Sequence, residues 1–245
     1  MDSKVVKSVG RVLRVLELFE KHQTPLSATQ ICNSLDLPKS SANALLKSLV
    51  QLGYLSIDGP TKNYFPTLSL TKLGDWLPGA MFGSGEILNV LEELHRQTQE
   101  TVTLSMPNGL NMQFITVIRG TFPISLHIHE GFLAPLFGTG VGIAQLSTRT
   151  DKEIAELAKL ANRGVGAKTS VDLVKIMTYV NEARANGFAE AYNRTSPETG
   201  AVAMPLPAGI YNRSLVIAVG GPWERIKKRE AQIVRIMRRT LRGFK

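Results

Sequence analysis

LSATQICNSLDLPKSSANALLKSLVQLGY, residues Leu26–Tyr54, reads as two short helices joined by a tight turn. Ser27 and Gln30 stand at capping-box spacing, where a hydroxyl and a side-chain amide satisfy the open backbone amides of a helix start. Ala28, Ile31, Cys32 and Leu35 then recur at i, i+3, i+4 and i+7, the pattern of one buried stripe. Asp36-Leu37-Pro38 breaks that helix, and proline is tolerated only near the first turn of the next one. Ala42, Leu45, Leu46 and Leu49 form a second stripe, with Gly53 placed to end the helix. On a helical wheel of roughly 100° per residue, Ser40, Asn43, Ala44 and Lys47 point away from that stripe. Small, polar and cationic side chains on an open helix face suit base edges and phosphates. The reading is a helix-turn-helix; its alternative is a plain helical hairpin with a solvated outer face.

The residues after Gly53 favour DNA. Tyr54-Leu55-Ser56-Ile57 alternates like a strand, Asp58-Gly59-Pro60-Thr61-Lys62-Asn63 is rich in turn formers, and Tyr64-Phe65 resumes an extended pattern. A hairpin directly after such a helix is a wing, and Lys62 at its tip is placed to reach phosphate or a minor groove.

Three segments carry a family resemblance: SVGRVLRVLELF from Ser8, LSATQICNSLDLPKSSANALLKSLVQLGYL from Leu26, and AEAYNRTSPETGAVAMPLP from Ala189. Together they resemble the IclR family of bacterial transcription regulators, over essentially the whole chain and most specifically in its first third. The resemblance implies an α+β protein with an N-terminal winged helix-turn-helix and a C-terminal GAF-like antiparallel-sheet domain that binds a small effector. The domains expected are residues 1–70 for DNA binding, 71–85 for a linker helix and hinge, and 86–245 for the effector. The resemblance also implies that the linker helix and the first helix join two DNA-binding domains into a dimer.

Composition agrees with a soluble globular protein: 43% of the 245 residues are hydrophobic and 20% charged, enough for a substantial core. No segment offers the roughly 18 uninterrupted apolar residues of a membrane-spanning helix, and no apolar region follows the N-terminal lysines to indicate export. Cys32 is the single cysteine, which excludes internal disulfides and cysteine-rich zinc sites. A cytoplasmic location is expected. The formal charge of +9 favours polyanionic partners.

Before the helix-turn-helix, Ser8–Lys21 is expected as a helix burying Val9, Val12, Leu13, Leu16 and Phe19, with Lys4, Lys7, Arg11 and Arg14 crowding its start. Thr71–Leu77 begins the connecting helix, and Pro78-Gly79 and Phe82-Gly83-Ser84-Gly85 mark the hinge. Ile87–Gln97 is amphipathic through Ile87, Leu88, Leu91 and Leu94. Strands are expected at Thr101–Met106 and Met112–Arg119 around a Pro107-Asn108-Gly109 turn, at Pro123–His129, at Thr199–Leu206 and at Ser214–Gly220. Thr150 with Glu153 caps a helix carrying Ile154, Leu157, Ala158 and Ala161. A further helix through Leu173, Ile176, Met177 and Val180 ends at Gly187. The last helix, Trp223–Arg242, has Ile226, Ile233, Val234, Met237 and Leu241 on one side and Lys228, Arg235, Arg238, Arg239 and Arg242 on the other. Its basic side suits either solvent or an additional contact with DNA or a partner.

Gly138-Thr139-Gly140-Val141-Gly142 has the wrong spacing for a dinucleotide fingerprint and lacks the surrounding βαβ unit. It reads as a turn into a short helix, Val141–Leu146. Taken alone these are turn glycines, although the first amides of a helix can also bind a carboxylate. The resemblance implies the second role, with Gly140 and Val141 donating and Thr139 assisting. Tyr192, Ala201, Ala218 and Gly220 fall at the family's other effector-contacting positions. There the chain departs from the family: Ala201 replaces a frequent cysteine, and Ala218 and Gly220 replace serines of small-acid binders. Fewer polar groups argue for a larger, more apolar organic acid, aromatic in character. His127 and His129 share a face of the expected Pro123–His129 strand but lack a third ligand at metal-site spacing. No nucleophile elbow, phosphate loop or zinc-protease motif supports catalysis. No cofactor is expected.

These readings converge on a DNA-binding transcription regulator controlled by a small organic acid. Lys39, Lys47, Lys62 and Arg11 are candidates for phosphate contact, and Ser40, Ser41 and Asn43 for bases. An arginine frequent in the family at Ala44 is missing, which thins base readout. The expected partners are a palindromic double-stranded operator, the acid, and a second copy of the chain, as a dimer or dimer of dimers, with no membrane. The competing class is a metabolite-binding or enzymatic domain whose winged helix docks protein.

Overall fold

A computed structural model describes residues 6–77, 79, 85–163, 170–194, 196–207 and 214–242. Lys4 of the expected basic start, and Pro78 and Phe82-Gly83-Ser84 of the expected hinge, lie outside those residues. The chain divides into two compact units, Met1–Ala80 and Met81–Lys245.

In the first unit α1 (Lys7–His22) precedes a two-residue strand β1 (Leu26–Ser27), then α2 (Ala28–Leu35), α3 (Lys39–Gln51), β2 (Leu55–Ile57), β3 (Asn63–Pro66) and α4 (Ser69–Gly74). The capping box forms: the Gln30 amide donates to Ser27 Oγ at 3.3 Å, and the Ser27 amide to Gln30 Oε1 at 2.8 Å. At the far end of α3, Gly53 has φ +80°, Tyr54 N–H donates to Leu49 O at 2.9 Å and Gly53 N–H to Val50 O at 3.0 Å. That pair of bonds is a Schellman closure, and it turns the chain directly into β2. Val15, Leu18, Phe19, Leu26, Ile31, Leu46, Leu49, Leu55 and Tyr64 make the core.

Two expectations fail here. Val9 and Leu13 are each 54% exposed; α1 packs through Val15, Leu18 and Phe19 with Val12 and Leu16 half-buried against the same core, a face that overlaps the expected one but is turned away from Val9 and Leu13. The α3 stripe stands as expected, with Ala42, Leu46 and Leu49 buried and Leu45 half-buried against the core. The helix after the wing also starts earlier than Thr71, because Thr67 Oγ1 receives the Ser69 amide at 3.2 Å.

The second unit runs α5 (Glu86–Thr98), β4 (Thr101–Asn108), β5 (Asn111–Ile118), β6 (Leu133–Pro135), α6 (Gly140–Ser147), α7 (Asp151–Ala161), α8 (Leu173–Asn186), β7 (Ala189–Tyr192), β8 (Thr199–Pro205), β9 (Val216–Pro222) and α9 (Trp223–Leu241). The strands form one antiparallel sheet in the order β6-β5-β4-β9-β8-β7. Period-two alternation divides its side chains between two cores. Val202, Met204, Ile217 and Val219 pack with Ile87, Leu91, Leu94, Ile226, Ile233 and Met237 of α5 and α9. Ala203, Val216 and Ala218 face the opposite way, with Ile143, Leu146, Ile154, Ile176 and Val180 of α6, α7 and α8.

Local signals set the ends of these elements. Thr150 and Glu153 form a second capping box, Asp172 caps α8 through the Lys175 amide at 3.2 Å, and Gly187 closes α8 at φ +73°. The β4–β5 turn is Gly109-Leu110, because Asn108 already pairs with Asn111; Gly109 takes φ +60°, and Pro107 belongs to the strand. On α5, Val90 is buried while Leu88 is 37% exposed. On α9, Ile236 joins the expected stripe.

Pro123–His129 is not a strand. The edge of β5 is already taken by β6 and by two bonds, Phe114 N–H to Phe132 O at 3.0 Å and Gly131 N–H to Phe114 O at 2.7 Å. Side chains hold the segment instead: Thr101 Oγ1 donates to Leu126 O at 3.0 Å, and Arg225 Nη2 to Ile124 O at 2.9 Å. Its alternation persists without a ladder, with Leu126 and Ile128 turned inward and His127 and His129 exposed.

Candidate functional site

In the first unit, α3 leaves Lys39, Ser40, Asn43, Ala44 and Lys47 exposed, while Ser41 is half-buried on its flank. Ser48 Oγ donates back to Ala44 O at 2.9 Å and so is directed along the helix. The wing stands next in the chain. Its turn is set by Asp58, whose carboxylate accepts from both the amide and the hydroxyl of Thr61, and whose carbonyl accepts from Lys62 N–H at 2.9 Å. Those Thr61 bonds hold the Asp58 carboxyl below its ordinary range. Lys62 sits at φ +55° with its side chain exposed. Strand β1 pairs with β3, Leu26 opposite Tyr64 and Ser27 opposite Asn63, so the start of α2 is fastened to the wing. Arg11 on α1 is half-buried.

In the second unit a cavity of about 330 Å³ lies between the sheet, the start of α6 and the segment through Leu126 and Ile128. Thr139, Gly140, Val141, Ala201, Ala218 and Gly220, all expected at an effector site, line it. Gly140 and Val141 open α6, so their amides have no acceptor within the helix. Thr139 plays a different part from the one expected. Its hydroxyl donates to Pro135 O at 2.8 Å and accepts from Gly142 N–H at 3.0 Å, which commits it to holding the turn. Gly142 is required for space, since a Cβ there would lie 1.9 Å from Leu136 O.

Tyr192 does not belong to the cavity. Strand alternation turns Ala191 inward and Tyr192 to the other face, where its hydroxyl donates to Glu230 Oε2 at 2.6 Å. Burial and that carboxylate push its phenol well above the ordinary value. Sequence reasoning also missed lining residues: Phe114 and Phe132, whose rings lie 6.0 Å apart, together with Thr103 and Arg194.

The basic side of α9 is partly spent on the fold. Arg238 donates to Asn186 O at 2.6 Å and Arg239 to the Gln97 side chain. Arg225 and Arg229 grip the buried Glu100 carboxylate. Among the described residues no cluster of three metal-ligating side chains occurs, and no helix is long and apolar enough to cross a membrane.

An open recognition-type helix beside a β-wing, followed by a sheet domain with a cavity on one face, defines a winged-helix class of DNA-binding regulator. The family models agree: the IclR helix-turn-helix domain matches residues 8–59, and the C-terminal domain of bacterial transcriptional regulator IclR matches 86–243. The chain belongs to the IclR family of transcription regulators. It is 26% identical over 215 residues to the HTH-type transcriptional regulator KipR of Bacillus subtilis, covering 87% of this chain and 84% of that protein. It is 25% identical over 203 residues to the regulator XynR of Escherichia coli, covering 82% and 81%. The crystal structure of the Thermotoga maritima IclR protein shares the fold with a TM-score of 0.74 at 17% identity, over 96% of each chain. The homologues are transcription regulators, which removes the enzymatic reading.

Proposed function

We propose that the chain binds a palindromic operator as a homodimer, or a dimer of dimers, in the cytoplasm, and that an aromatic-sized organic acid in the cavity sets its operator affinity. Lys39, Lys47, Lys62 and Arg11 attract phosphates, while Ser40, Ser41 and Asn43 meet base edges. The exposed Val9 and Leu13 on α1 and Leu73 and Trp76 at and beyond the end of α4 supply apolar surface for joining two DNA-binding units.

The composition of the cavity carries the effector reading. Its floor is Ala201, Ala218 and Gly220, its walls include Phe114, Phe132, Leu126 and Ile128, and Gly140 and Val141 at the start of α6 line it. Such a lining accommodates one ring and one carboxylate better than a two-carbon acid covered in polar oxygens. The acid changes operator affinity only as far as it favours one arrangement of the dimer.

Gel retardation with the DNA flanking the protein's own gene tests this, run with benzoate-type acids and with two- and three-carbon acids. Sequence-specific retardation altered by the ring-bearing acids is expected. Binding that equals binding to random DNA, or a response confined to the smallest acids, defeats it.

A further inference from the structure

Arg194 stands on the wall between two cavities. Among the described residues it alone lines both the 330 Å³ cavity and a second of about 320 Å³ bounded by Tyr179, Glu182, Glu190 and Glu230. Its guanidinium carbon lies 3.6 Å from the centre of the Tyr179 ring, a cation–π contact that fixes the plane of the group. Its Nη1 is buried and has no hydrogen-bond partner among the described residues.

A buried guanidinium N–H without an acceptor carries a desolvation cost that an incoming acceptor removes. The planar fork of arginine matches a carboxylate in both spacing and charge. Among the described residues nothing else lining the larger cavity carries charge: its other polar side chains are the hydroxyls of Thr103, Thr139, Ser196 and Thr199, of which Thr139 and Thr199 already donate to backbone carbonyls. On the far side, Glu190 and Glu230 hold Arg194 in an acidic environment and keep its charge near the wall.

We infer that Arg194 is a ligand-binding residue of the larger cavity that pairs with a carboxylate of the effector, so that the site selects anionic ring-bearing ligands over neutral ones of the same shape. This rests on the reading of that cavity as the effector site. The α6 amides orient an acid through partial charges, whereas Arg194 supplies the full positive charge that discriminates acid from amide. A monoacid shares its carboxylate with the amides; a diacid places its second group at the guanidinium.

The test is titration calorimetry on the full chain with benzoate, terephthalate and benzamide, for the wild type, Arg194→Met and Arg194→Lys. The wild type is expected to bind at least one of the acids ten-fold or more tightly than benzamide. Arg194→Met removes that preference, weakening the acid far more than benzamide; Arg194→Lys, which keeps the charge but loses the fork, weakens the acid several-fold. Should the methionine variant fail to fold, the lysine variant decides, because unaltered acid affinity there overturns the proposal. Equal binding of acid and amide by the wild type, or acid affinity unmoved in Arg194→Met, overturns the role of Arg194 and leaves the cavity reading standing. Absence of binding by all three probes overturns both.

Discussion

The buried carboxylate of Glu100 receives two hydrogen bonds from Arg225, Nε to Oε1 at 2.6 Å and Nη2 to Oε2 at 2.7 Å. Arg229 adds a third at 3.2 Å and also donates to Thr98 O at 3.0 Å. Glu100 precedes β4, so this bridge fastens α9 to the first strand of the sheet. Gly221 makes room for it, since a Cβ there would sit 2.5 Å from Glu100 Oε2. Arg225→Met leaves the buried anion with a single weaker partner and is expected to cost about 3 kcal/mol. Glu100→Gln keeps the shape, and both arginines reach solvent, so it should cost less. Urea denaturation of the two variants measures the order; equal losses would contradict it.

Gly142→Ala is expected to be among the most damaging single-methyl changes. The added carbon meets the Leu136 carbonyl, a backbone atom that cannot step aside, and it displaces the Thr139 hydroxyl that caps α6. A loss of about 3 kcal/mol or more is expected. Where the variant still folds, the α6 amides move and ligand affinity falls with them. Thermal melts with and without ligand separate the two effects.

On α3, Asn43 and Lys47 should fail differently. Lys47→Ala weakens binding to all sequences alike and lowers the slope of log K against log salt by about one. Asn43→Ala costs about 1–3 kcal/mol on the operator alone and leaves the slope unchanged. Salt titrations on operator and random DNA distinguish them, and identical behaviour would mean that Asn43 reads no base.

Desolvation, and then the neighbouring Glu230 carboxylate, push the Glu190 carboxyl up to about 6 from an ordinary 4.5; Arg194 opposes this and Glu182 adds to it. The folded chain therefore holds this proton more tightly than the unfolded one. The stability it contributes is complete below pH 4.5 and disappears as pH climbs through about 6. For a partly exposed group the effect is on the order of 1 kcal/mol after solvent screening. Melting temperatures of Glu190→Gln between pH 4.5 and 7.5 should decline less than those of the wild type; parallel curves would refute the assignment.

The helix-turn-helix was legible because its determinants are local. A capping box, a proline at a helix start and a glycine at a helix end act within a few residues of themselves. β1 was not legible, since two residues say nothing until Tyr64 and Asn63 come back to pair with them. β7 was missed because Glu190 interrupts a four-residue run, and without β7 its alternation could not assign Ala191 to the cavity and Tyr192 to the opposite face. On α1 the helical period was right, and Val12, Leu16 and Phe19 pack as expected, but the apolar arc is wider than one buried face and only the tertiary fold selects Val15 over Leu13. Arg194 escaped for a related reason, being on an irregular connection where no periodicity applies.

The bare floor of the cavity has an evolutionary meaning. Ala191, Ala201, Ala218 and Gly220 project at most a methyl into it, and their neighbours on the reverse side of the sheet carry the packing. An alanine exchanged for a serine would place a hydroxyl in the chamber through a single-codon step, without rebuilding the strands that form its floor.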